Sequence, residues 1–306
     1  DMIYVYRPAL SSGAKELAAA LEGRRLRRIE GGYGIRLVNG REKRVSLRDG
    51  DVVIGWGAGV PAFNARIRTL NGAPIQNKYD DALVLKRAGV PTIEVSKTLP
   101  HAQPTVDPAV SLHMSLREAL EEFSSAELSR NTVYIRGLND LQTNIQRLSQ
   151  VLQQPVPQQR ATGEWIARIY NHVGGNDLLH PPDRPNYYVK KENIVKEFRV
   201  HSFLGKSIRA GVKAPREDVL HPHEWVRSYD GGWTIRYDGI SSKQKHRELA
   251  HAAVAALGLQ FGAVDIAQKA DKSLIVLEVN RAPGLDGGTP EAYATAVRRW
   301  IAGDWQ

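Results

Sequence analysis

The chain has no cysteine. That excludes disulfides, zinc–thiolate sites and a thiol nucleophile. It fits a reducing compartment, and the cytoplasm is the expected location. No apolar run is long and clean enough to span a membrane. The N-terminal DMIYVYRPAL lacks a basic stretch leading into an apolar core, so no secretory signal is expected. Internal repeats and low-complexity tracts are missing. So are the Walker lysine pattern and the dinucleotide GxGxxG fingerprint.

What is present is an ordinary globular composition, 42% hydrophobic and 25% charged over 306 residues. This is enough for two domains, or for one large α/β domain with additions. The net charge is +9. Much of the excess lies between Arg24 and Arg48, where nine basic residues stand against Glu30 and Glu42. That stretch reads as a solvated basic face or as a surface for a polyanion. The basic residues are not interleaved with aromatics in the way a base-stacking platform requires, so nucleic acid is not favoured.

Residues 2–95 alternate strand-like and helix-like segments. MIYVY, DVVIGWG and VPTIEV read as strands. AKELAAALEG and KYDDALVLKRAG read as helices stopped by Gly23 and Gly89. Such alternation predicts a small parallel α/β domain over 1–95. Residues 96–160 are rich in proline and glutamine and read as a helical bridge, with helices near SLREALEEF and DLQTNIQRLSQVL. From 161 to 306 the strands return. VKEFRVHSF, a tight LGK turn and SIRAGVKA predict an antiparallel hairpin. A helix over SKQKHRELAHAAVAALG precedes a second hairpin of QFGAVDIAQ and LIVLEVN, and PEAYATAVRRWI closes the chain as a helix.

The last hairpin carries the strongest chemical signal. In a strand, residues i and i+2 share a face. Glu278 and Asn280 therefore point the same way, and Asp265 lies on the partner strand. Three oxygen donors on adjacent strands suit a hard cation such as Mg²⁺. The alternative is that they are surface or salt-bridged residues at strand ends. Arg199 and His201 share a face of the first hairpin, as do Arg209 and Lys213 on its second strand. A row of cations needs solvent or an anion, and phosphate is the economical counter-charge beside Mg²⁺. HVGGNDL, after a strand bearing Arg168, reads as a simple turn or as a loop whose amides close on phosphate. The GWG at Gly55–Gly57 reads as a tight turn or as an approach to substrate. HPHEW at 221–225 has two histidines in a proline loop, and a structural role is expected for it.

Taken together, GAVDIAQKADKSLIVLEVNRAPGL, AHAAVAALGLQFGAVDI, EFRVHSFLGKSI and WIARIYNHVGGNDLL resemble the ATP-grasp superfamily, and in style its uncharacterised phage-encoded members. The resemblance implies an α/β chain with the ATP-grasp fold, two α+β lobes gripping ATP, preceded by a small parallel pre-ATP-grasp domain. It implies ATP and Mg²⁺ as cofactors, with Asp265, Glu278 and Asn280 on the metal. Arg168, Gly174 and Gly175 would meet the phosphates. Lys190, Lys191 and Glu192 would lie at the adenine and ribose. Arg199, Lys213 and Arg281 would serve catalysis, Arg281 and Gly284 lining the loop nearest the substrate. The acidic residue of the hairpin is Glu197 or Glu192.

The implied activity is carboxylate–amine (or thiol) ligation through an acyl phosphate, on an amino acid, peptide or protein, by an ADP-forming enzyme. Its partners are then ATP, a carboxylate substrate and an amine acceptor. A homodimer is compatible with the family, and no membrane is involved. Two other readings stay open: a non-catalytic protein that binds nucleotide or a polyanion, and an ATP-grasp phosphotransferase.

Overall fold

The computed structural model describes residues 2–7, 11–30, 32–36, 41–60, 63, 66–72, 76–100, 165–170, 176–179, 182–237 and 244–305. The chain divides into two compact units. Asp1–Lys97 and Ile166–Gln306 form the first, and Thr98–Trp165 form the second. The two helices expected within 96–160 lie outside the described residues. Among the described residues, no helix is long and apolar enough to cross a membrane.

The first unit opens with β1 (Ile3–Tyr6), α1 (Ser12–Ala20), β2 (Arg24–Ile29), β3 (Gly32–Arg36), β4 (Glu42–Val45), β5 (Val52–Gly55) and β6 (Arg68–Leu70). They make a six-stranded sheet in the order β4-β3-β2-β1-β5-β6. β1, β2, β5 and β6 run parallel, while β3 and β4 extend the sheet antiparallel. Helix α1 starts at Ser11, whose hydroxyl accepts from the amide of Ala14, so one orphan amide of the first turn is satisfied. Its buried Leu17 packs with Val5 and Ile54 of the sheet. Burying one such side chain stabilises by roughly 1.5–3 kcal/mol.

Two features differ from the sequence reading. The segment Val90–Val95, expected as a third strand of the parallel sheet, is not in it. Arg68–Leu70 takes that place beside β5. The 90–96 segment instead bridges Thr92 to Val276 and then forms a short strand, β7 (Val95–Ser96). The basic stretch 24–48 is not merely a solvated face. Leu26 and Ile35 are buried on one side of β2 and β3, and the arginines beside them lie partly or fully exposed.

Helix α2 (Lys78–Arg87) follows, with Asn77 capping it through an acceptor bond from the amide of Asp80 at 3.0 Å. After the second unit come β8 (Trp165–Arg168), α3 (Asn176–Leu179) and β9 (Tyr187–Lys190). β7, β9 and β8 form a three-stranded sheet in that order. The rest of the chain supplies β10 (Ile194–Phe203), β11 (Lys206–Pro215), β12 (Trp233–Arg236), α4 (Gln244–Ala256), β13 (Phe261–Lys269), β14 (Leu274–Asn280) and α5 (Thr289–Ala302). The five strands pair antiparallel as β12-β11-β10-β13-β14. Both expected hairpins are present.

One face of the five-stranded sheet is apolar. Val200, Val264, Ile266, Val276 and Val279 pack on Ala250, Ala253 and Val254 of α4 and on Leu85 of α2. The two large sheets are joined by Asn71. Its side-chain oxygen accepts from the amides of Gln260 and Phe261, and its side-chain nitrogen donates to the Phe261 carbonyl. Trp56, fully buried, stacks on Phe261 of β13 and meets Tyr293 of α5 edge-on. The first ninety-seven residues and the last third of the chain thus share one core.

Candidate active site

The opposite face of the five-stranded sheet is polar, and the strand register sets its layout. Arg199 on β10 lies opposite Asp265 on β13, and Asp265 lies opposite Glu278 on β14. In an antiparallel sheet, opposed residues project to the same side. The three therefore form one row across the sheet. His201 and Arg209 face each other one step along the strands, beside Arg199. The β13–β14 register shifts after Asp265. Such a bulge re-aims side chains locally.

Arg199 grips Asp265 through two bonds, Nε to Oδ1 at 2.7 Å and Nη2 to Oδ2 at 2.8 Å. Lys213 of β11 lies 3.6 Å from the same carboxylate and donates to Glu197 at 2.7 Å. Glu197 also faces Arg227 at 3.8 Å. At the other end of the row, Lys78 from the start of α2 pairs with Glu278. The side-chain amide of Asn280 donates to Glu278 at 3.0 Å. The Asn280 side-chain oxygen accepts no hydrogen bond among the described residues.

Burial would make these charges costly, but each is compensated. Burial alone would raise the Asp265 pKa, yet Arg199 and Lys213 outweigh it and hold the group below its usual range. Burial works against the charged form of Lys213, and Asp265 and Glu197 overcome it, raising its pKa. The same balance, with Asp265 as partner, raises Arg199. His201 is fully buried between Tyr293 and Tyr237, whose hydroxyls lie 3.2 and 3.1 Å from its two ring nitrogens. Burial and the nearby Arg199 cation push its pKa down to about 3, so it is neutral.

The structure therefore brings Asp265, Glu278, Asn280, Arg199 and Lys213 onto one sheet face, with Glu197 of β10 bonded to Lys213. Glu192 lies elsewhere, 3.6 Å from Lys269. Lys190 faces Glu94 at 3.5 Å, and Lys191 lies over the Trp225 ring. Among the described residues, these three make no bond to the central row. Arg168 donates to Asp177 at 2.7 Å, with both side chains largely buried. Gly174 and Gly175 lie outside the described residues.

Arg281, expected on the substrate loop, has its guanidinium engaged by Asp81 of α2 at 2.7 Å and by the Gln76 carbonyl at 3.0 Å. This ties the loop after β14 to the start of α2. Burial pushes the Asp81 pKa up to about 6 despite the pull of Arg281. The His221–Trp225 loop is structural in its bonding: Nδ1 of His223 accepts from the amides of Trp225 and Val226.

Sequence reasoning missed Lys78. It lies 200 residues before Glu278 in the chain, and only the packing of α2 beside β14 joins them. The one local signal was the cap: an Asn before a helix places the next residue at a helix start, where its side chain can reach a neighbouring strand end. The GWG turn packs against the loop after β14. The Gly57 amide donates to the Arg281 carbonyl at 3.2 Å. Gly57 has φ +65, and a Cβ there would lie 2.6 Å from that of Ala282. Only glycine fits both conditions.

The donor set fits a hard divalent cation. Two carboxylates on facing strands and an amide oxygen are the ligand types Mg²⁺ accepts, with phosphate oxygens and water completing its shell. Among the described residues no cluster of three His, Cys, Asp or Glu side chains competes as a metal centre.

No protein-family model and no curated protein matches the chain. Solved structures do. The ATP-grasp ligase PsnB, complexed with a minimal precursor, superposes with a TM-score of 0.55 at 12% identity, over 99% of this chain and 100% of that one. D-alanyl-alanine synthetase A from Vibrio cholerae gives 0.52 at 12% identity, over 99% and 98%. D-cycloserine synthetase DcsG gives 0.50 at 15% identity, over 98% and 100%. The chain has the ATP-grasp fold.

Proposed function

We propose that the chain is an ATP- and Mg²⁺-dependent ligase, ADP-forming, that joins a carboxylate to an amine or thiol through an acyl phosphate on an amino acid, peptide or protein substrate. The observation that carries this reading is the charged row Arg199–Asp265–Glu278–Lys78, flanked by Lys213–Glu197, on one face of a rigid sheet. Phosphoryl transfer needs positioned charge more than a protein nucleophile. This face offers fixed cations and carboxylates, and the chain has no cysteine to act in its place.

Asp265, Glu278 and Asn280 would hold Mg²⁺, which supplies charge neutralisation at the phosphates. Arg199, Lys213 and Lys78, now held by carboxylates, would orient the phosphates, and Arg168, Gly174 and Gly175 would meet them as the family resemblance implies. Lys190, Lys191 and Glu192 would border the nucleoside. Arg281 would hold the loop that shapes the acceptor pocket. The fold it shares with PsnB, which acts as an ATP-grasp ligase, supports the same class of chemistry.

The test is ATP binding by calorimetry, with and without Mg²⁺, on the wild type and on Glu278→Gln. Binding that requires Mg²⁺ and weakens tenfold or more in the variant, roughly 1.4 kcal/mol, is the expected result. A folded wild-type protein that binds no ATP would overturn the reading. Product analysis then separates its outcomes: ADP with an amide or thioester marks a ligase, and ADP with a stable phosphate ester marks a phosphotransferase.

A further inference from the structure

The loop between β11 and β12, residues 216–232, collects apolar groups that the rest of the described surface hides. Among the described residues four large apolar side chains are exposed: Val195, Leu220, Trp225 and Tyr229. Three of the four stand in this loop, with Leu220 87% exposed and Tyr229 65%. Single exposed apolar residues need no explanation, but a group of them on one loop marks a surface that meets a partner. Trp and Tyr are also the side chains that most often anchor such contacts.

The loop is held firmly from within. Nδ1 of His223 accepts from the amides of Trp225 and Val226, and the Trp233 indole N–H donates to the His223 carbonyl at 2.9 Å. The His223 amide donates to the Gly231 carbonyl at 2.7 Å, and the Gly232 amide to the Tyr229 carbonyl at 2.9 Å. At Gly231 the backbone folds back so closely that a Cβ would stand 2.1 Å from the Val226 carbonyl oxygen. Leu220, Trp225 and Tyr229 are thus presented on a preformed platform, and little ordering remains to oppose binding.

Its charge runs against that of the chain, whose net charge is +9. Glu217, Asp218, Glu224 and Asp230 are exposed. The two arginines of the loop are turned inward. Arg216 is held by Asp218 and lies 4.0 Å from the centroid of the Tyr229 ring. Arg227 lies 5.0 Å from that of Trp233 and donates to the Ile194 carbonyl at 2.9 Å. Glu217 pairs with Arg236 of β12. Glu224 and Asp230 make no ion pair among the described residues. Lys191 lies over the Trp225 ring at 5.6 Å, so that ring already receives an ammonium group.

Beside these side chains the surface is concave. Val219, His221, His223, Tyr229 and Asp230 line a hollow of about 500 Å³ with Leu179 of α3. Asp230 is its one carboxylate. Arg216 reaches the wall too, held as described. Trp225 stands at the edge, its ring 5.4 Å from that of His223. The platform also borders the charged row: Arg227 faces Glu197 at 3.8 Å, Glu197 accepts from Lys213, and Lys213 lies 3.6 Å from Asp265.

We propose that the 216–232 platform docks a segment of a polypeptide substrate in which basic and apolar side chains alternate, so that the enzyme acts on a peptide or protein rather than on a free amino acid. Basic side chains meet Glu224, Asp230 and the ring faces. Apolar ones meet Leu220 and the hollow. Nucleic acid and anionic lipid are refused here, because four exposed carboxylates repel them. The inference rests on the ligase reading for its meaning, while the docking itself needs no ATP.

The experiment is calorimetry on the full chain without nucleotide. The probe is a short end-blocked peptide alternating lysine with leucine and phenylalanine. Two counterparts replace its lysines by glutamate or its apolar residues by serine. The expected result is saturable binding of the first peptide that weakens as salt rises, none of the glutamate form, and binding of the serine form weaker by about tenfold or more. Glu224→Lys with Asp230→Lys, both at exposed positions outside ion pairs, should keep the fold by circular dichroism and weaken the first peptide by about tenfold or more. Leu220→Ser should weaken it on its own. No binding, equal binding of the serine form, or equal binding by the charge-reversed variant overturns the proposal. So does a concentration-dependent self-association, followed by sedimentation, that the charge reversal abolishes, since that would assign the platform to a second copy of the chain. Peptide binding by a protein that binds no Mg-ATP would overturn the ligase reading and leave a peptide-docking site. ATP binding without peptide binding would overturn the docking inference alone.

Discussion

The two faces of the five-stranded sheet are made by the same strands and differ in almost every physical respect. On one, Val200, Val264, Ile266 and Val276 are fully buried against α4 and α2. On the other, their sequence neighbours His201 and Asp265 are buried and Arg199 is mostly buried, yet all three are charged or polar. The apolar face gains from removing surface from water. The polar face gains little by burial and holds because Arg199, Lys213, Lys78 and their carboxylates are paired with opposite charges. One strand period therefore separates what keeps the chain folded from what equips it to act.

That contrast can be broken from either side. The largest effect is expected on the polar face. Asp265→Ala leaves Arg199 and Lys213 side by side without their common partner and should cost about 3–5 kcal/mol by denaturant unfolding, with ATP binding lost. Ile266→Ala, one residue away, should cost about 2–5 kcal/mol for the cavity and leave ATP affinity within a few-fold at a temperature where it is folded. If both variants lost affinity equally, the two faces would not be separable.

The double variant Arg199→Met, Asp265→Leu sharpens the point. Replacing a buried pair by apolar groups is often neutral or stabilising, so stability should return to about the wild-type level while ATP binding stays lost. A double variant as unstable as Asp265→Ala would mean that the polar face contributes to folding beyond satisfying its own charges.

Titration separates the faces' edges. His201 has a folded pKa of about 3 against an ordinary 6.5. The folded state then binds fewer protons than the unfolded one between those values, so the stability it contributes is present above pH 6.5 and is lost as pH falls. Asp81, raised to about 6 from 3.8, acts in the opposite sense and favours the folded state as pH falls through that window. Thermal unfolding against pH should show a shallower acid loss in His201→Gln and a steeper one in Asp81→Asn. Each difference should be on the order of a few kcal/mol at most. The smallest effect on stability is expected for Lys78→Met at the most exposed end of the row, about 0–1 kcal/mol. Its ATP affinity should nonetheless fall about tenfold or more, for loss of a charge-assisted contact.

The sequence made the polar face legible because strand alternation is local. VKEFRVHSF and LEVN each state their own period, and the hairpins pair them in the only way short turns allow. What lay between distant segments was not legible. Lys78 reaches Glu278 through helix packing, which leaves no mark in either stretch. Arg68–Leu70 was hidden because three residues with one buried side chain carry no period, while VPTIEV, more strand-like by composition, pairs elsewhere. Strand β2 and the antiparallel extension β3–β4 were masked by their charge. Leu26 and Ile35 are buried apolar positions there, but too few to state a period, and basic residues dominate the composition. Arg281 stands in the expected loop, and its pairing with Asp81 depends on α2 again.

The loop after β14 is gripped from the far end of the chain. Gly57 closes on Ala282, and a Cβ on Gly13 of α1 would stand 3.1 Å from the Pro283 carbonyl. The first sixty residues are consequently no portable module. Exchanging them for the equivalent segment of a relative would replace half of the mould in which this loop is cast. A chimera would inherit the loop conformation of neither parent, and any redesign of this loop would have to vary Gly13, Gly57 and residues 281–285 together.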